Sequence, residues 1–373
     1  MDQRKFYLIS PNYAEAGTLE TLPATPGLRV IKNDSLERSN IRFSSDDLIC
    51  ITSEASIEVV KERIDDPAKR NAINMLKDKY QFREILREIY PAYTFKKLSL
   101  GEIASLNVAS KSILKPSKGC FGTAVKTITA ESDMTEIVKE IKRELKINSN
   151  VLSGEVLSED EFILEDYIEG EEYAVDMFYD PFGEPHIVNI YHHPMPKNEA
   201  YLHMIYYTSK EVFHSIYEQA MGFFKKLNAL LKIKNFTMHS EFRYCEKTLV
   251  PVEINCMRFG GMGLGNMVYN ALGLNPYESF RTGQSPEWSN IWDKKANADS
   301  IYAYFIAYNG THIDKTRQKP NIEKLKKEFT EILHETIFDY QNQLAFAVFC
   351  LKETPENLKR LLTIEFKDYF EEI

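Results

Sequence analysis

The sequence predicts an α/β protein, in part α+β, that is built from three successive units. Short apolar runs with strand-like composition alternate with segments whose apolar residues repeat at helical spacing. The 373 residues also exceed what one hydrophobic core usually supports. We therefore divide the chain into a small N-terminal α/β domain of residues 1–92, a central subdomain of residues 93–165, and a C-terminal subdomain of residues 166–373 that carries an extension at its end.

The individual elements follow from apolar spacing and from turn residues. In the N-terminal unit we expect strands at residues 5–9 and 48–52 and helices at residues 53–64 and 77–89. In the central unit we expect strands at residues 112–115, 123–128 and 162–167 and a helix at residues 134–145. In the C-terminal unit we expect helices at residues 211–231, 266–272 and 322–333 and buried strands at residues 300–308 and 343–351.

The composition restricts the class of protein and of partner. Hydrophobic residues make up 43% and charged residues 27%, which is ordinary for a soluble globular chain. The net charge of −9 argues against a nucleic acid as the partner. The sequence has no run of about 18 apolar residues and starts without a signal-peptide pattern, so we expect no membrane contact and a cytoplasmic location. The five cysteines are scattered and fit free thiols in a reducing compartment.

The stretch MHSEFRYCEKTLVPVEIN is the most informative part of the chain. Two alternating runs flank a polar turn, which predicts a β-hairpin centred on Lys247. In that register Glu241 faces Glu253, and His239 faces Asn255. Because alternate residues of a strand share a face, these four polar side chains form one patch. The opposite, core-facing side is expected to carry Phe242, Tyr244, Val250, Val252 and Ile254.

Two glutamates directly opposite each other on a sheet repel one another. A bound divalent cation removes that conflict, and the oxygen ligands of Glu241, Glu253 and Asn255 suit magnesium. Water and phosphate oxygens would complete its coordination. Taken alone, a solvated polar face on an ordinary hairpin is the commoner explanation of this pattern.

A glycine-containing loop and two lysines are candidates for phosphate contacts. Lys115 ends an apolar strand, and Gly119 and Gly122 bracket the short loop that follows. Backbone N–H groups of such a loop can bind phosphate oxygens, and an ammonium group at its base can pair with them. The loop is not a Walker A motif, and a simple turn is the alternative. Lys79 opens a helix after Asp78 and alone would be taken as a solvated lysine.

The segment ILEDYIEGEEYAVDMF is acidic and contains a turn at Gly170 between two strands. Adenine recognition needs a backbone donor and acceptor beside apolar walls, and a ribose diol needs a carboxylate that accepts from two hydroxyls. Glu172, at the start of the second strand, is a candidate for the ribose contact. A charged surface hairpin is the alternative.

Together and in this order, these pieces resemble the ATP-grasp superfamily. The matching elements are Asp78-Lys79 with its helix, Lys115 with the glycine loop, the hinge from Glu165 to Glu172, and Glu241 with Glu253-Ile254-Asn255. The tail EINCMRFGG is similar to the E-I-N-x-R-x-G-G pattern of carboxylate–amine ligases, with one extra residue before Arg258. The resemblance extends from about residue 5 to residue 275 and is greatest to ligases that join amino acids into dipeptides.

The resemblance implies an ATP-dependent ligase that activates a small carboxylate as an acyl phosphate and transfers it to an amine. Lys79 and Lys115 would hold the ATP phosphates, and a loop that includes Ser117, Gly119 and Gly122 would close over them. Asp166, Tyr167 and Ile168 would bind adenine beside Glu165, and Glu172 would bind the ribose. One or two Mg²⁺ ions, or Mn²⁺ in their place, would be held by Glu241, Glu253 and Asn255. Arg258 and Lys115 would act in catalysis, and the substrate would contact Arg258, His239, Gly260 and Gly261.

The partners expected are small acids and amines, with a homodimer left open. The segment at residues 189–209 contains His192, His193 and His203, which we expect in a loop that lines a pocket rather than at a metal. Two other functions stay open from the sequence. One is a bicarbonate-using ATP-grasp enzyme of the carboxylase type, and the other is a regulatory protein that binds nucleotide without turnover.

Overall fold

The computed structural model describes residues 4–12, 17–119, 122–148, 157–194, 205–310 and 313–373, and for residues 147 and 148 only the backbone. The described residues form sheets of three, four, eight and two strands. The three larger sheets are built from successive stretches of the chain. They support the division into three parts, whose limits at residues 92 and 165 we retain as a proposal. None of the described helices has both the length and the apolar character needed to cross a membrane.

The N-terminal part contains a parallel sheet in the order β2-β1-β3. Its strand β1 is buried along its whole length, as expected for the central strand of a parallel sheet. The elements are β1 Phe6–Ser10, β2 Leu28–Lys32, α1 Asn33–Glu37, β3 Leu48–Ile51, a 3-10 turn Glu54–Ser56, α2 Ile57–Lys61, α3 Pro67–Lys77 and α4 Lys79–Ile85. The helix expected at residues 53–64 is therefore shorter, and α3 was not predicted.

The helix expected at residues 77–89 begins at Lys79, because Asp78 separates two helices. Asp78 ends α3 in an extended conformation and caps α4, where its carboxylate accepts hydrogen bonds from the N–H groups of Tyr80 and Gln81. A side-chain acceptor at this position satisfies amide groups that have no partner within the helix. The cap thus fixes the first turn of α4, which carries Lys79.

The central part is an antiparallel sheet in the order β4-β7-β5-β6, covered by one long helix. Its elements are β4 Phe95–Ser99, α5 Leu100–Ile103, β5 Ser112–Pro116, β6 Lys126–Ile128, α6 Met134–Asn148 and β7 Glu161–Asp166. Strand β6 starts three residues later than expected, since the backbone at Ala124 has a positive φ of 55°. Leu114, Ile141 and Phe162 form the centre of a small separate core.

The C-terminal part is an eight-stranded sheet in the order β12-β11-β8-β9-β10-β13-β16-β15. Its elements are β8 Glu171–Tyr179, β9 Pro185–His193, β10 Ile205–Thr208, α7 Lys210–Leu231, β11 Phe236–Cys245, β12 Thr248–Cys256, a 3-10 turn Leu264–Asn266, α8 Met267–Leu272, α9 Pro276–Thr282, α10 Trp288–Trp292, α11 Lys295–Ala298, β13 Ile301–Tyr308, β14 Gln318–Pro320, α12 Ile322–Lys326, β15 Glu331–Ile337, β16 Ala345–Glu353, α13 Pro355–Leu361, a 3-10 turn Phe366–Tyr369 and β17 Phe370–Glu372. Phe223 and Phe224 of α7 pack against Phe242 on the apolar face of β11.

The extension continues this sheet through β13, β16 and β15. The helix expected at residues 322–333 is wrong beyond residue 326, because residues 331–337 pair with β16 instead. Long-range strand pairing overrides local helical spacing here. The segment expected to be a loop at residues 189–209 is also partly wrong. His192 and His193 end strand β9, whereas His203 lies outside the described residues.

The predicted hairpin is formed by β11 and β12, but its turn is one residue shorter than expected. Cys245 pairs with Thr248, and the two turn residues, Glu246 and Lys247, both have positive φ, as in the tight turns that join twisted strands. Continued regularly, this register would place Glu241 opposite a residue other than Glu253.

A β-bulge restores the pairing. Phe242 pairs with Pro251, and the next pair is Glu241 with Glu253, so Val252 is the extra residue. Pro251 has no N–H to donate and lies on the edge strand of the sheet, a position that tolerates both proline and bulges. Because of the bulge, Val252 lines the cleft described below instead of facing the core as expected.

Candidate active site

A cleft of about 340 Å³ is lined by residues of the central sheet and by one face of the C-terminal sheet. It brings together most of the residues predicted to bind nucleotide and metal. These are Lys79, Lys115, Gly119, Gly122, Glu165, Asp166, Tyr167, Ile168, Glu172, Glu241 and Glu253. Ser117, His239, Asn255, Arg258, Gly260 and Gly261 do not line it. The buried Ser117 hydroxyl instead forms a hydrogen bond of 3.0 Å with Ser158, so its predicted phosphate contact has no support.

Lys79 connects the glycine loop to the carboxylate pair. Its ammonium group lies 3.0 Å from Glu253 Oε1 and donates to the carbonyl of Gly119 at 2.9 Å. Its backbone N–H donates to the carbonyl of Ser117 at 2.7 Å. A lysine that looked solvated in the sequence is therefore buried, and its charge faces the centre of the cleft.

Lys115 belongs to a buried ion network around Glu165. Glu165 lies 2.6 Å from the Lys115 ammonium and 2.8 Å from Nε of Arg83. Burial alone would raise the pKa of Glu165, but the two cations hold it at about 2. Burial lowers the pKa of Lys115, and Glu165 opposes that shift. The charged form of Glu165 therefore positions the lysine at the root of the loop.

Arg83, which the sequence argument missed, links the three parts of the chain. It lies on α4, pairs with Glu165 of β7, and donates to the carbonyls of Pro251 at 2.5 Å and Val252 at 3.4 Å. Its guanidinium also lies 4.5 Å from the centroid of the Tyr93 ring. These contacts hold the backbone of the bulge that places Glu253 opposite Glu241. Arg83 directly follows the buried Phe82 in α4, and its own burial, which requires partners for its charge, is known only from the structure.

Glu241 and Glu253 face each other across β11 and β12, and Asn255 lies opposite His239, as expected. Burial and the charge of Glu253 raise the pKa of Glu241 to about 7. Burial would also raise the pKa of Glu253, but Lys79, Lys77 and Lys115 lower it. The contacts of Glu241 are long: Asn255 Nδ2 is 3.5 Å from it, and His239 Nε2 is 3.9 Å from it.

The carboxylate pair fits a divalent cation. Burial of Glu241 beside a second carboxylate disfavours its charged form, and a cation between the two would reverse that effect. The donors available are carboxylate and amide oxygens, which suit magnesium better than softer metals. Among the described residues, no cluster of three or more histidine, cysteine, aspartate or glutamate side chains has the geometry of a complete metal site. Glu241 and Glu253 alone would supply only part of the coordination shell of such an ion.

Asp176 is a second residue that the sequence argument missed. Its buried carboxylate accepts hydrogen bonds from Nδ1 of His239 at 2.8 Å, the N–H of Gly260 at 2.8 Å and the hydroxyl of Tyr191 at 2.9 Å. Because a carboxylate only accepts, Nδ1 of His239 carries a proton and donates it to the hydrogen bond with Asp176. The signal available in the sequence was a single aspartate within the otherwise apolar end of β8. Its pairing with His239 is known from the strand register of the structure.

Glu172, which also lines the cleft, has two partners. Its two oxygens lie 2.7 Å from Nδ1 of His193 and 2.8 Å from Nη2 of Arg243. Burial would raise the pKa of Glu172, but hydrogen bonding to His193 and the charges of His193 and Arg243 lower it. The carboxylate is thus ionised and held in place, as it must be to accept hydrogen bonds from two hydroxyl groups.

The hinge segment, which is the predicted adenine contact, already uses part of its backbone in hydrogen bonds. The N–H of Asp166 donates to the carbonyl of Thr94, and its carbonyl accepts from the hydroxyl of Tyr93. The N–H of Tyr167 donates to the carbonyl of Lys111 at 3.4 Å, and both Tyr167 and Ile168 line the cleft. Gly170, within the same hinge, has φ of 107°, and a Cβ there would lie 2.2 Å from the carbonyl oxygen of Tyr244. Only glycine fits this close approach to β11.

Arg258 lies outside the cleft and is bound by the N-terminal part. Its Nη2 is 3.6 Å from Oε1 of Glu54, and its Nη1 donates to the carbonyl of Phe259 at 3.2 Å. Glu54 also pairs with Lys77. A Cβ at Gly261 would lie 3.4 Å from Nη1 of Arg258, so that glycine leaves the guanidinium its space.

The sequence comparison agrees with this geometry. Residues 108–266 match the sequence pattern of the ATP-grasp domain, a range that contains the loop, the hinge and the carboxylate pair. This range is an ATP-grasp domain. The predicted superfamily and the predicted α/β fold class are thereby confirmed. No protein of curated function matches the sequence.

Solved structures resemble the fold of this chain over nearly its whole length. L-amino acid ligase from Bacillus licheniformis has 15% identity and a TM-score of 0.64, with 100% of this chain and 99% of that one covered. Phosphoribosylglycinamide synthetase from Anaerococcus prevotii has 15% identity and a TM-score of 0.52, with 99% of both chains covered. N5-carboxyaminoimidazole synthase from Aspergillus clavatus, in complex with ADP and 5-aminoimidazole ribonucleotide, has 11% identity and a TM-score of 0.58, with 96% of this chain and 97% of that one covered. At these identities the similarity establishes the fold.

Proposed function

We propose that this protein, through its ATP-grasp domain, is a magnesium-dependent ligase that activates a small carboxylic acid with ATP and joins it to an amine. The observation that carries the proposal is the row formed by Lys115, Lys79 and the Glu241–Glu253 pair along one cleft. Such a row offers cations and a metal site to a triphosphate. Phosphoryl transfer depends mainly on this positioning and neutralisation of charge.

Each side chain has a defined part in the proposed reaction. Lys115 and Lys79 neutralise the β- and γ-phosphates, and Glu241, Glu253 and Asn255 would hold Mg²⁺. The metal would supply charge neutralisation on the transferred phosphoryl group. An oxygen of the substrate carboxylate forms a bond to the γ-phosphorus while the bond to the bridging oxygen breaks, which releases ADP and leaves an acyl phosphate.

In the second step the amine nitrogen attacks the acyl carbon, and inorganic phosphate leaves as the amine loses a proton. Arg258 is suited to hold the carboxylate or acyl phosphate, because a guanidinium can pair with such oxygens through two hydrogen bonds. Nε2 of His239, whose ring is held by the contact of Nδ1 with Asp176, is suited to take the proton of the amine. Gly260 and Gly261 belong to the same segment of the chain as Arg258. An acyl phosphate hydrolyses in water, so the glycine loop at Gly119 and Gly122 would need to close over it.

The test is a panel of amino acids and small carboxylic acids in the presence of Mg²⁺-ATP, with release of ADP and phosphate as the readout. Hydroxylamine is added as the amine, because it converts an acyl phosphate into a hydroxamate that can be detected. We expect acid-dependent ADP release together with hydroxamate. ADP release that requires bicarbonate instead of an organic acid would favour the carboxylase-type alternative. Nucleotide binding without release of ADP under any condition would favour the regulatory alternative.

A further inference from the structure

A serine, a histidine and an aspartate form a chain of hydrogen bonds in the C-terminal part, outside the cleft. The hydroxyl oxygen of Ser285 lies 2.5 Å from Nδ1 of His186, and Nε2 of the same ring lies 3.2 Å from Oδ2 of Asp180. The three residues belong to the loop between α9 and α10, to strand β9, and to the turn between β8 and β9. None of them lines the cleft, so the proposed ligase reaction assigns them no part.

The hydrogen bonds of this chain have a direction. The carboxylate of Asp180 only accepts, so Nε2 of His186 carries a proton and donates it. In the neutral ring the lone pair then lies on Nδ1, and the hydroxyl of Ser285 donates to it. A hydroxyl that donates to a base, which is oriented in turn by a carboxylate, is the arrangement of an activated nucleophile. The two ring nitrogens are exchanged relative to the triad of serine proteases, but the three groups have the same roles.

The base and the carboxylate are held in place by their surroundings. Oδ1 of Asp180 accepts hydrogen bonds from the backbone N–H groups of Phe182 at 2.7 Å and Glu184 at 2.9 Å, which leaves Oδ2 for the histidine. The ring of Phe178 stacks on the ring of His186, with centroids 5.0 Å apart and an angle of 19° between the planes. The imidazole therefore has a fixed orientation between the carboxylate and the serine.

The backbone on both sides of Ser285 is packed against the same turn and strand. Gly283 follows α9 with φ of 67°, and a Cβ there would lie 3.2 Å from Cδ of Pro181. On the other side, Nε1 of Trp288 donates to the carbonyl of Ile187 at 3.0 Å. Ser285 itself is exposed, and its backbone N–H has no acceptor among the described residues. Its hydroxyl is thus held at the base and is accessible from solvent.

We propose that Ser285 is a nucleophile that accepts acyl groups and hydrolyses small activated esters without ATP. Its Oγ forms a bond to the acyl carbon while its proton passes to Nδ1 of His186. The ester bond then breaks, and the leaving oxygen takes that proton. Water attacks the acyl-serine and gives a proton to Nδ1, which passes it to the departing serine oxygen, so that the acid is released and Ser285 is restored. This activity is separate from the proposed ligase function.

The surroundings of Ser285 indicate the class of acyl donor. The N–H of Ser285 is available to stabilise the developing oxyanion, whereas the next residue, Pro286, has no N–H to add. So small an oxyanion site suits esters with a good leaving group and not amides. Phe182 lies on the same turn as Asp180 and is 90% exposed, so it offers an apolar contact to a small acyl or aryl group.

The experiment treats the full chain with p-nitrophenyl acetate in the absence of ATP. Release of p-nitrophenol is followed by absorbance, and peptide mass mapping at early times measures acetylation of Ser285 and of Ser289. Ser289 is the internal control, because it is an exposed serine of α10. We expect Ser285 to be acetylated roughly 100-fold faster than Ser289 or more, since a positioned general base contributes at least about that factor.

Three variants separate catalysis from structure. Ser285→Ala should reduce p-nitrophenol release to the background of the other nucleophiles, and Ser289→Ala should leave the release unchanged. His186→Gln keeps an amide donor for Asp180 but offers Ser285 no base, so acetylation of Ser285 should slow by roughly 100-fold.

Equal acetylation of the two serines in the wild type would overturn the proposal, and this comparison needs no variant. Unchanged acetylation of Ser285 in folded His186→Gln would overturn it as well, because the hydrogen bond would then have a structural role alone. If His186→Gln fails to fold, the wild-type comparison decides. Because the assay contains no ATP, its result is independent of the ligase function.

Discussion

Replacing Arg83 by methionine tests whether one buried guanidinium organises the nucleotide site. The side chain of methionine fills much of the same space but supplies no charge and no donor. The change leaves Glu165 with Lys115 as its remaining cation and removes the donor from the carbonyls of Pro251 and Val252. The change therefore affects both sides of the cleft. On one side it affects Lys115 at the root of the loop, and on the other side it affects the bulge that precedes Glu253.

The size of the loss follows from the buried ion network. The pKa of Glu165 is about 2 against an ordinary value of 4.5, and that difference corresponds to about 3 kcal/mol of net stabilisation of its charged form by Arg83 and Lys115 together. Removing one partner of a buried ion pair generally costs about 3–5 kcal/mol. Since whole domains are stable by roughly 5–15 kcal/mol, Arg83→Met should remove a large fraction of the unfolding free energy.

The assay is urea unfolding followed by tryptophan fluorescence. Both tryptophans of the chain, Trp288 and Trp292, lie in the C-terminal part, to which Arg83 is connected through the bulge. The control is Arg87→Met, which removes an exposed arginine that follows α4 and pairs with Glu84. We expect a loss of about 3 kcal/mol or more for Arg83 and less than about 1 kcal/mol for Arg87.

A double-mutant cycle distinguishes the ion network from simple packing. If Arg83 acts through Glu165, then Arg83→Met combined with Glu165→Gln should cost clearly less than the sum of the two single changes. Additive losses would show that the two residues act separately. Stability of Arg83→Met within about 1 kcal/mol of the wild type would refute the reasoning, since the change removes one of the two cations of the buried Glu165 carboxylate and the donor to the bulge.

The remaining predictions concern the metal, the phosphates and acid stability. Glu253→Gln should lower the rate of ADP formation by roughly 100-fold or more with an unchanged circular dichroism spectrum, and normal turnover would remove Glu253 from the metal site. Lys115→Ala should weaken ATP binding by roughly 10- to 100-fold in calorimetry, and an unchanged affinity would separate it from the phosphates. The lowered pKa of Glu165 contributes stability that is present above pH 4.5 and lost as the pH falls through about 2. Urea midpoints measured between pH 5 and 2 should fall less steeply for Glu165→Gln, and parallel curves would contradict the assignment.

The hairpin shows how a sequence argument can reach the correct contact through an incorrect detail. The polar turn and the alternating runs predicted the pairing of Glu241 with Glu253, which the structure has. The turn is shorter than predicted, and the bulge at Val252 compensates for it. That bulge depends on an edge position and on Arg83, which is 168 residues away from Pro251. No local pattern contains this information.

The residues that the sequence argument missed share one property. Arg83, Asp176 and Glu54 are single charged residues within otherwise ordinary segments, and each acquires its meaning from a partner distant in sequence. Asp176, for example, pairs with His239, which is 63 residues away. The motif residues were recognisable because several of them follow one another in a fixed order. Isolated charges become informative only when burial is known, because a buried charge requires a partner.

The helix prediction in the C-terminal extension failed for a different reason. Residues 322–333 contain apolar side chains at helical spacing, but Ile332 and Leu333 belong to strand β15. Its neighbour β16 offers an apolar strand edge, and pairing with it outweighs a weak helical preference. Because β13 and β16 continue the sheet of the active-site hairpin, the extension belongs to the same folded body as the site.

The most direct test of the account is to measure whether the opposed glutamates hold a divalent ion together with nucleotide. Mn²⁺ serves as the probe, and its binding is followed by electron paramagnetic resonance with a non-hydrolysable ATP analogue present. The wild type should bind Mn²⁺ tightly only when the nucleotide is added, and the double variant Glu241→Gln/Glu253→Gln should lose this binding while it stays folded. Equal nucleotide-dependent Mn²⁺ binding by the two proteins would contradict the account at its centre.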